Sequence, residues 1–381
     1  MTYYSFSVKK FLKNPKNKIC LAILVLLLFG LFMANKTAFK QKFYQSTLDA
    51  TTINIQQTEQ MGLNVKNELK LNPDDEILKA SIKELENEKK LFQSQLEALK
   101  VNDLEKYANL GNQVNLLQIK RIPSDTSEEY LAVSSSIKYY RTVKAVNGKM
   151  GVSMNDTSES AFTIAYAIVS WLSSTVIFVL LTVLIADNLS SEIETSQIRF
   201  YQIIGGRNFK QLIVNLLSPI FVVTLITVIS FTVLYLIGGV QDSFGTWRYP
   251  YYTPAGDIVP IYQLVIKTLI LFIVSLLFIA SLGQILSLIF KKSLVVIGII
   301  VLFLTGFLTF EKEVWFQPLK MFFPFEYLGY GRLLNDAEFL PSNAFGIGLI
   351  YLLSLSFIFI MCSSYLYKNY YYRKVGKNDR T

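Results

Sequence analysis

The stretch Ile213–Val240, IVNLLSPIFVVTLITVISFTVLYLIGGV, runs for 28 residues without one charged side chain. As a helix at 1.5 Å per residue it exceeds the roughly 30 Å of a bilayer's hydrocarbon core. Five further apolar stretches lie outward from it: Ile19–Ala34, Ala161–Ala186, Tyr262–Phe290, Leu294–Phe310 and Ala344–Leu366. Ile19–Ala34 and Leu294–Phe310 are short for a span and need snorkelling flanks or local thinning of the bilayer. The first stretch is separated from the other five by a long polar excursion, 35–160. The expected fold class is an all-α membrane protein. It has six transmembrane helices, with a helical, coiled-coil-like hairpin domain between the first and second spans.

Composition agrees. Hydrophobic residues make up 52% of the chain and charged residues 17%, against about 25% charged in soluble domains. The net charge of +9 is not a nucleic-acid footprint, because the polar excursion is neutral and the excess lies beside the spans. Lys9, Lys10, Lys13, Lys16 and Lys18 precede the first span. Arg199, Arg207 and Lys210 follow the second, Lys291 and Lys292 the fourth, and Lys368, Arg373, Lys374, Lys377 and Arg380 the sixth. The positive-inside rule then puts both termini in the cytoplasm and 35–160 outside. The segments read as an elbow at 1–18, a first span at 19–34 kept as an uncleaved signal anchor, an outer domain at 35–160 and a bundle at 161–367. The spans of that bundle are 161–186, 213–240, 262–290, 294–310 and 344–366. A connection at 187–212 and a basic tail at 368–381 complete the chain. Cys20 and Cys362 both fall in spans, so no disulfide or metal cluster is implied. Histidine is absent, which excludes Ser-His-Asp and Cys-His catalysis within this chain. No catalytic, cofactor or metal residues are assigned.

The polar excursion reads as helical. Pro73-Asp74-Asp75-Glu76 is a helix start. After it Leu78, Ile82, Leu85, Phe92, Leu96 and Leu99 recur at alternating four and three, with Lys89 in the missing heptad position. The pattern predicts one helix from Asp74 to about Asn109, roughly 50 Å long, antiparallel to a helix over Leu48–Leu69. Glu86 and Lys90 are spaced as i,i+4 partners. A further helix is expected over Ser127–Val146, and Asn147-Gly148-Lys149 is a turn rather than a phosphate loop, since no Ser or Thr follows the lysine.

Two segments expected in the cytoplasm carry more information. Tyr4, Val8, Phe11 and Leu12 share one face of a short amphipathic elbow helix with lysines displaced from it. Asp187–Lys210 is too polar for membrane and regular enough for a rigid helix. Ile193, Gln197, Phe200 and Ile204 share a face, and Gly205-Gly206 ends it.

Here the chain resembles the permease subunits of type-2 ABC exporters, in the subset with a large extracytoplasmic domain after the first span. The resemblance rests on the elbow, six spans and a pattern between the second and third. That pattern reads Glu192 or Glu194, Thr195-Ser196, Ile198-Arg199, then Arg207 to Lys210, with Gly205-Gly206 where the family often has proline. It implies that Glu192, Glu194, Gln197, Arg199, Phe200, Gly205 and Arg207 form an ATPase-coupling helix, and that Tyr4, Val8, Phe11 and Leu12 belong to the elbow. It implies short re-entrant helices around Pro318 and Phe322–Leu328. It also implies a separate cytoplasmic ABC ATPase carrying ATP and Mg, and a second permease copy or a sister permease. The cargo would be amphipathic or hydrophobic: a peptide, an antimicrobial or a lipid-like molecule. The chain itself would be no enzyme, and it would sit in the cell membrane of a bacterium, with lipid and not nucleic acid as its surroundings. The alternatives are a polytopic scaffold or surface receptor with a helical outer domain and, more remotely, an intramembrane transferase.

Overall fold

A computed structural model describes residues 3–122, 125, 127–151, 154, 163–197, 208–254, 256–310, 313–335 and 343–378. In chain order the helices begin with α1 Tyr3–Lys13, α2 Pro15–Ala34, α3 Lys40–Leu71, α4 Glu76–Lys100 and α5 Leu104–Gln118. Next come α6 Glu128–Ala145, α7 Thr163–Trp171, α8 Thr175–Ile185 and α9 Asn188–Glu194. They continue as α10 Asn208–Gln241, α11 Ile261–Phe290, α12 Ser293–Phe310, α13 Tyr330–Asn335 and α14 Ala344–Asn378. The fold is mostly helical, but the all-α expectation is incomplete. Strands β1 Pro250–Tyr252 and β2 Ile258–Pro260 pair antiparallel, with Tyr251 opposite Val259. Gly256 makes their turn possible, since it takes φ +86°, a region that side chains disfavour. The chain divides into two compact units: Met1–Leu31, Ala167–Leu234 and Leu264–Thr381, which is apolar, and Phe32–Tyr166 with Tyr235–Gln263, which is polar.

In the polar unit α3 and α4 form an antiparallel hairpin. Asp75 starts α4 by accepting from the amides of Ile77 (2.9 Å) and Leu78 (3.1 Å), so two of the amides left without helical partners are satisfied. Leu85, Phe92 and Leu99 of the expected seam are buried, joined by Glu88, Gln95 and Ala98. The hairpin register shows in Tyr44 Oη donating to Leu99 O (3.1 Å) and in the ion pairs Glu59–Lys89 and Lys66–Glu86, both 2.9 Å. Glu86 thus pairs across the hairpin instead of with Lys90, and the hydrogen bond from Lys66 holds its carboxyl below the ordinary glutamate value.

The single helix expected from Asp74 to Asn109 is two helices. Asn102 adopts a left-handed φ of 59°, and Asp103 caps α5 through the Lys106 amide at 3.0 Å. Local side-chain capping by Asp competes with helix propagation, and α5 folds back along α4. Gly111 allows the close approach, for a Cβ there would lie 2.7 Å from Gln95 Nε2. Gln118 and Arg121 both donate to the buried Glu88. α6 opens on Ser127, whose Oγ accepts from the Tyr130 amide (3.2 Å). It ends at the expected turn, where Asn147 has φ 49° and the Gly148 amide returns to Val143 O (2.9 Å).

Among the described residues five helical stretches are long and apolar enough to cross a membrane: the start of Pro15–Leu71, then Thr175–Glu194, Phe209–Gln241, Ile261–Phe290 and Ala344–Lys368. Ser293–Gly306 is a shorter apolar stretch. The second expected span, 161–186, is not one helix. It breaks at Leu172–Ser174, between α7 and α8. Chain Gly329–Arg332 lies against the break: Ser173 Oγ donates to Val169 O (2.6 Å) and accepts from the Gly331 amide (2.8 Å), and Arg332 donates to Thr175 Oγ1 (2.7 Å). A Cβ on Gly329 would come 2.6 Å from Ser173 Cα. Two 3-10 helices, Val314–Phe322 and Pro324–Leu328, precede this contact.

Candidate functional site

A concentration of buried charge and amide chemistry in the apolar unit surrounds the short helix α9. Its position is set from behind. Gly283 on α11 has no side chain, and a Cβ there would lie 2.3 Å from Ala186 O, so only glycine lets α11 approach the end of α8 this closely. Leu189 then packs with Leu212, Leu288 and Tyr367, with Ile193 and Leu366 against the same cluster.

The proline in α10 supplies the next anchor. Pro219 has no amide hydrogen, so the carbonyl four residues back, that of Asn215, has no partner within its own helix. Asn188 Nδ2 donates to it at 2.8 Å. The freed carbonyl therefore becomes the attachment point for the first residue of α9. The Asn215 side chain faces the same way and donates through Nδ2 to Glu192 Oε2 at 2.7 Å.

Both carboxylates of this segment are buried, with Glu192 3% and Asp187 5% exposed, and each takes a lysine from the N-terminal end of the chain. Lys10 Nζ on α1 lies 2.5 Å from Glu192 Oε1. Lys16 Nζ at the start of α2 lies 2.5 Å from Asp187 Oδ1 and donates to Val183 O at 2.8 Å. A buried carboxylate is tolerated when its charge is paired and its lone pairs are filled; Glu192 meets both conditions through Lys10 and Asn215. Further bonds tie the far end. Ser293 N donates to Glu194 Oε1 (3.1 Å), Ser190 Oγ contacts Ser293 Oγ (3.3 Å), and Gln284 Nε2 donates to Leu212 O (3.1 Å). The result is a packed junction of α1, α2, α9, α10 and α11.

Of the residues assigned from sequence, Glu192 is internal to this junction, not a surface group. Glu194 and Gln197 are exposed, and Arg199, Phe200, Gly205 and Arg207 lie outside the described residues. The uninterrupted helix expected through 190–204 is broken at Thr195–Ser196, with 198–204 outside the described residues. Thr195 Oγ1 bonds back to Ser191 O (2.7 Å) and Ser196 takes φ 57°, the competition of short polar side chains with helical backbone. Helix α1 covers the residues expected to form the elbow, with Phe11 and Ser7 buried, Val8 half-buried, and Tyr4 and Leu12 exposed. Lys10 and Lys16 read in sequence only as topology charges. Asn188, Asn215 and Asp187 carried no pattern at all. Pro219, deep inside an apolar run, was the available signal, since it announces an orphaned carbonyl at Asn215.

No protein family's sequence profile, no curated protein and no solved structure matches this chain.

Proposed function

We propose that this chain is the membrane-spanning subunit of an ATP-driven exporter of the type-2 ABC kind, with six spans and both ends in the cytoplasm. It moves an amphipathic or hydrophobic cargo and is driven by a separate ATPase subunit. The observation that carries the reading is the α9 junction. A short polar helix joins two apolar helices, and its buried end is tied to α1 and α2 by the half-buried Lys10 and Lys16. A push on its exposed end at Glu194–Gln197 therefore displaces α1, α8 and α10 together. Packed junctions of this kind move between discrete arrangements and do not flex gradually. The free energy comes from the difference in nucleotide affinity between the two states of the partner. This chain's own contribution is transmission, with Asn188, Asn215, Lys10 and Lys16 keeping the lever attached. Ser293–Phe310 supplies the sixth crossing, and the 3-10 segments 314–328 with the α7–α8 break form the opposite end of the pathway.

The test is chemical. Gln197→Cys, placed at an exposed position, is expected to crosslink in membranes to a cytoplasmic nucleotide-hydrolysing protein, and the purified pair is expected to hydrolyse ATP faster with cargo present. If the chain purifies and moves cargo in vesicles with no such companion, the reading is wrong.

A further inference from the structure

Helix α3 carries two stripes, each spaced by alternating threes and fours as in a coiled coil. The inner stripe, from Tyr44 through Thr51 and Thr58 to Leu69, is buried or half-buried throughout, on the side of the hairpin partner α4. At about 100° per residue the second stripe lies on nearly the opposite side of the helix. It runs from Phe43 to Leu71, about four heptads or 42 Å at 1.5 Å per residue, and all nine of its positions are exposed. Phe43, Ala50, Ile53 and Leu71 are its apolar members. Gln57, Gln60, Asn64 and Asn67 fill its middle with amides, and Ser46 completes it. Not one is charged. The charges of α3 lie elsewhere: Glu59 and Lys66 reach across to α4, and Lys40, Lys42, Asp49, Glu68 and Lys70 flank the stripe.

What covers such a stripe must match its chemistry. Lipid tails would leave the amides unsatisfied, and a charged surface finds no counter-charge there. An identical stripe does match. In a two-fold pair the residues on the axis meet their own counterparts, so a charge would face itself. Amides are donor and acceptor at once and can bond to a copy of themselves. We propose that α3 forms a parallel, in-register two-stranded seam with α3 of a second copy of this chain. Two copies in one membrane share an in–out sense, so helices paired about an axis along the membrane normal run parallel. The flanks agree as well: Lys42 faces Thr47, Asp49 faces Asn54 and Leu63 faces Glu68 of the other copy, so like charges do not oppose. The amide layers at 57–67 fix register and strand number, as polar residues at inner positions of coiled coils do. The seam lies wholly within the polar unit and stands whether or not an ATPase drives the apolar one.

The experiment uses the full chain in membranes, with Cys20 and Cys362 left in place and the chain without added cysteine as baseline. Ala50→Cys and Asn64→Cys are made singly and oxidised with copper phenanthroline. Each is expected to run at twice the chain's mass on a non-reducing gel, since an in-register layer brings its two Cα atoms within the disulfide range of about 4.4–6.8 Å. Gln45→Cys, exposed on the same helix but off the stripe, is expected to stay at baseline. Adding Ile53→Lys and Gln57→Lys to Ala50→Cys is expected to cut the dimer yield more than about tenfold, because like charges then oppose. Coexpression with a differently tagged Ala50→Cys copy carrying Ile53→Glu and Gln57→Glu is expected to restore it in the mixed pair, which excludes misfolding as the cause. Equal coupling at Gln45→Cys, no coupling at either seam cysteine, indifference to the lysines, or capture of a different protein by Ala50→Cys would each overturn the proposal. A dimer that persists in detergent without seam coupling would do the same, and would leave the ATPase reading standing.

Discussion

Lysine–carboxylate pairs occur in both units, and they do different work because their carboxylates sit in different media. In the hairpin, the side chains of Lys66 and Glu86 are 50% and 56% exposed, and Lys89–Glu59 is similarly open. Solvent screens such pairs and their side chains lose entropy in making them, so they add little; the hairpin is held by Leu85, Phe92 and Leu99. Around α9 the carboxylate side chains of Glu192 and Asp187 are only 3% and 7% exposed. There the pairing carries much more weight, since burial pushes both carboxyls above their ordinary values and a buried carboxylate stripped of its partner must remain an uncompensated charge or take up a proton. The same two residue types therefore adjust register in one unit and determine attachment in the other.

The sharpest way to break this contrast is Lys10→Met. It should cost about 3 kcal/mol or more, as for removal of one member of a buried pair, read as a lowered unfolding midpoint in detergent. Adding Glu192→Gln should recover most of that loss, because the neutral amide no longer needs a cation. If single and double variants are equally unstable, Glu192 does not depend on Lys10. Next in size is Asn188→Leu, which leaves the Asn215 carbonyl without its donor and should cost about 1–3 kcal/mol. Pro219→Ala restores an amide four residues on and should rescue the Asn188→Leu protein, while doing little for Lys10→Met. Rescue of both, or of neither, would contradict the geometry around Asn215.

The same contrast explains what was legible in advance. Apolar runs and the Pro73–Glu76 start carry strong local patterns, so the long apolar helices, the α3–α4 hairpin and α6 follow from spacing alone. The breaks do not. Val101–Asp103 and Leu172–Ser174 interrupt sequences whose hydrophobic period continues, and the interruption comes from side chains that bond locally or from a distant segment, such as Gly331 on Ser173. The α9 junction joins residues as far apart as Lys10 and Glu192, 182 positions, and no spacing rule reaches that far. Even so, Gly283 and Pro219 were visible as residues that an apolar helix has no local reason to contain.

In the polar unit, pH offers smaller and opposite tests. Burial first, and then the neighbouring Tyr107 and Tyr139, push the Tyr140 phenol well above its ordinary value. A raised value means stability that is complete below the unfolded tyrosine value of about 10 and is lost as pH climbs toward the folded one. Tyr140→Phe removes that ionisation and should flatten part of the alkaline loss of helical signal. Tyr107, raised by its own burial, should retain the rest.

Glu86 runs the other way and should give the smallest effect of all. Its value is lowered, first by the Lys66 hydrogen bond and then by that lysine's charge. The stabilisation is therefore present above the unfolded glutamate value of about 4.3 and disappears as pH falls through the folded one. Glu86→Gln should leave the unfolding midpoint at neutral pH almost unchanged and should slightly reduce its slope on the acid side. Because the group lies in water, moderate salt should erase even that difference. The same salt should leave the Lys10→Met defect intact, because the charge it exposes is buried beyond the reach of screening ions. A salt-sensitive Lys10→Met defect would mean that the α9 junction is as wet as the hairpin.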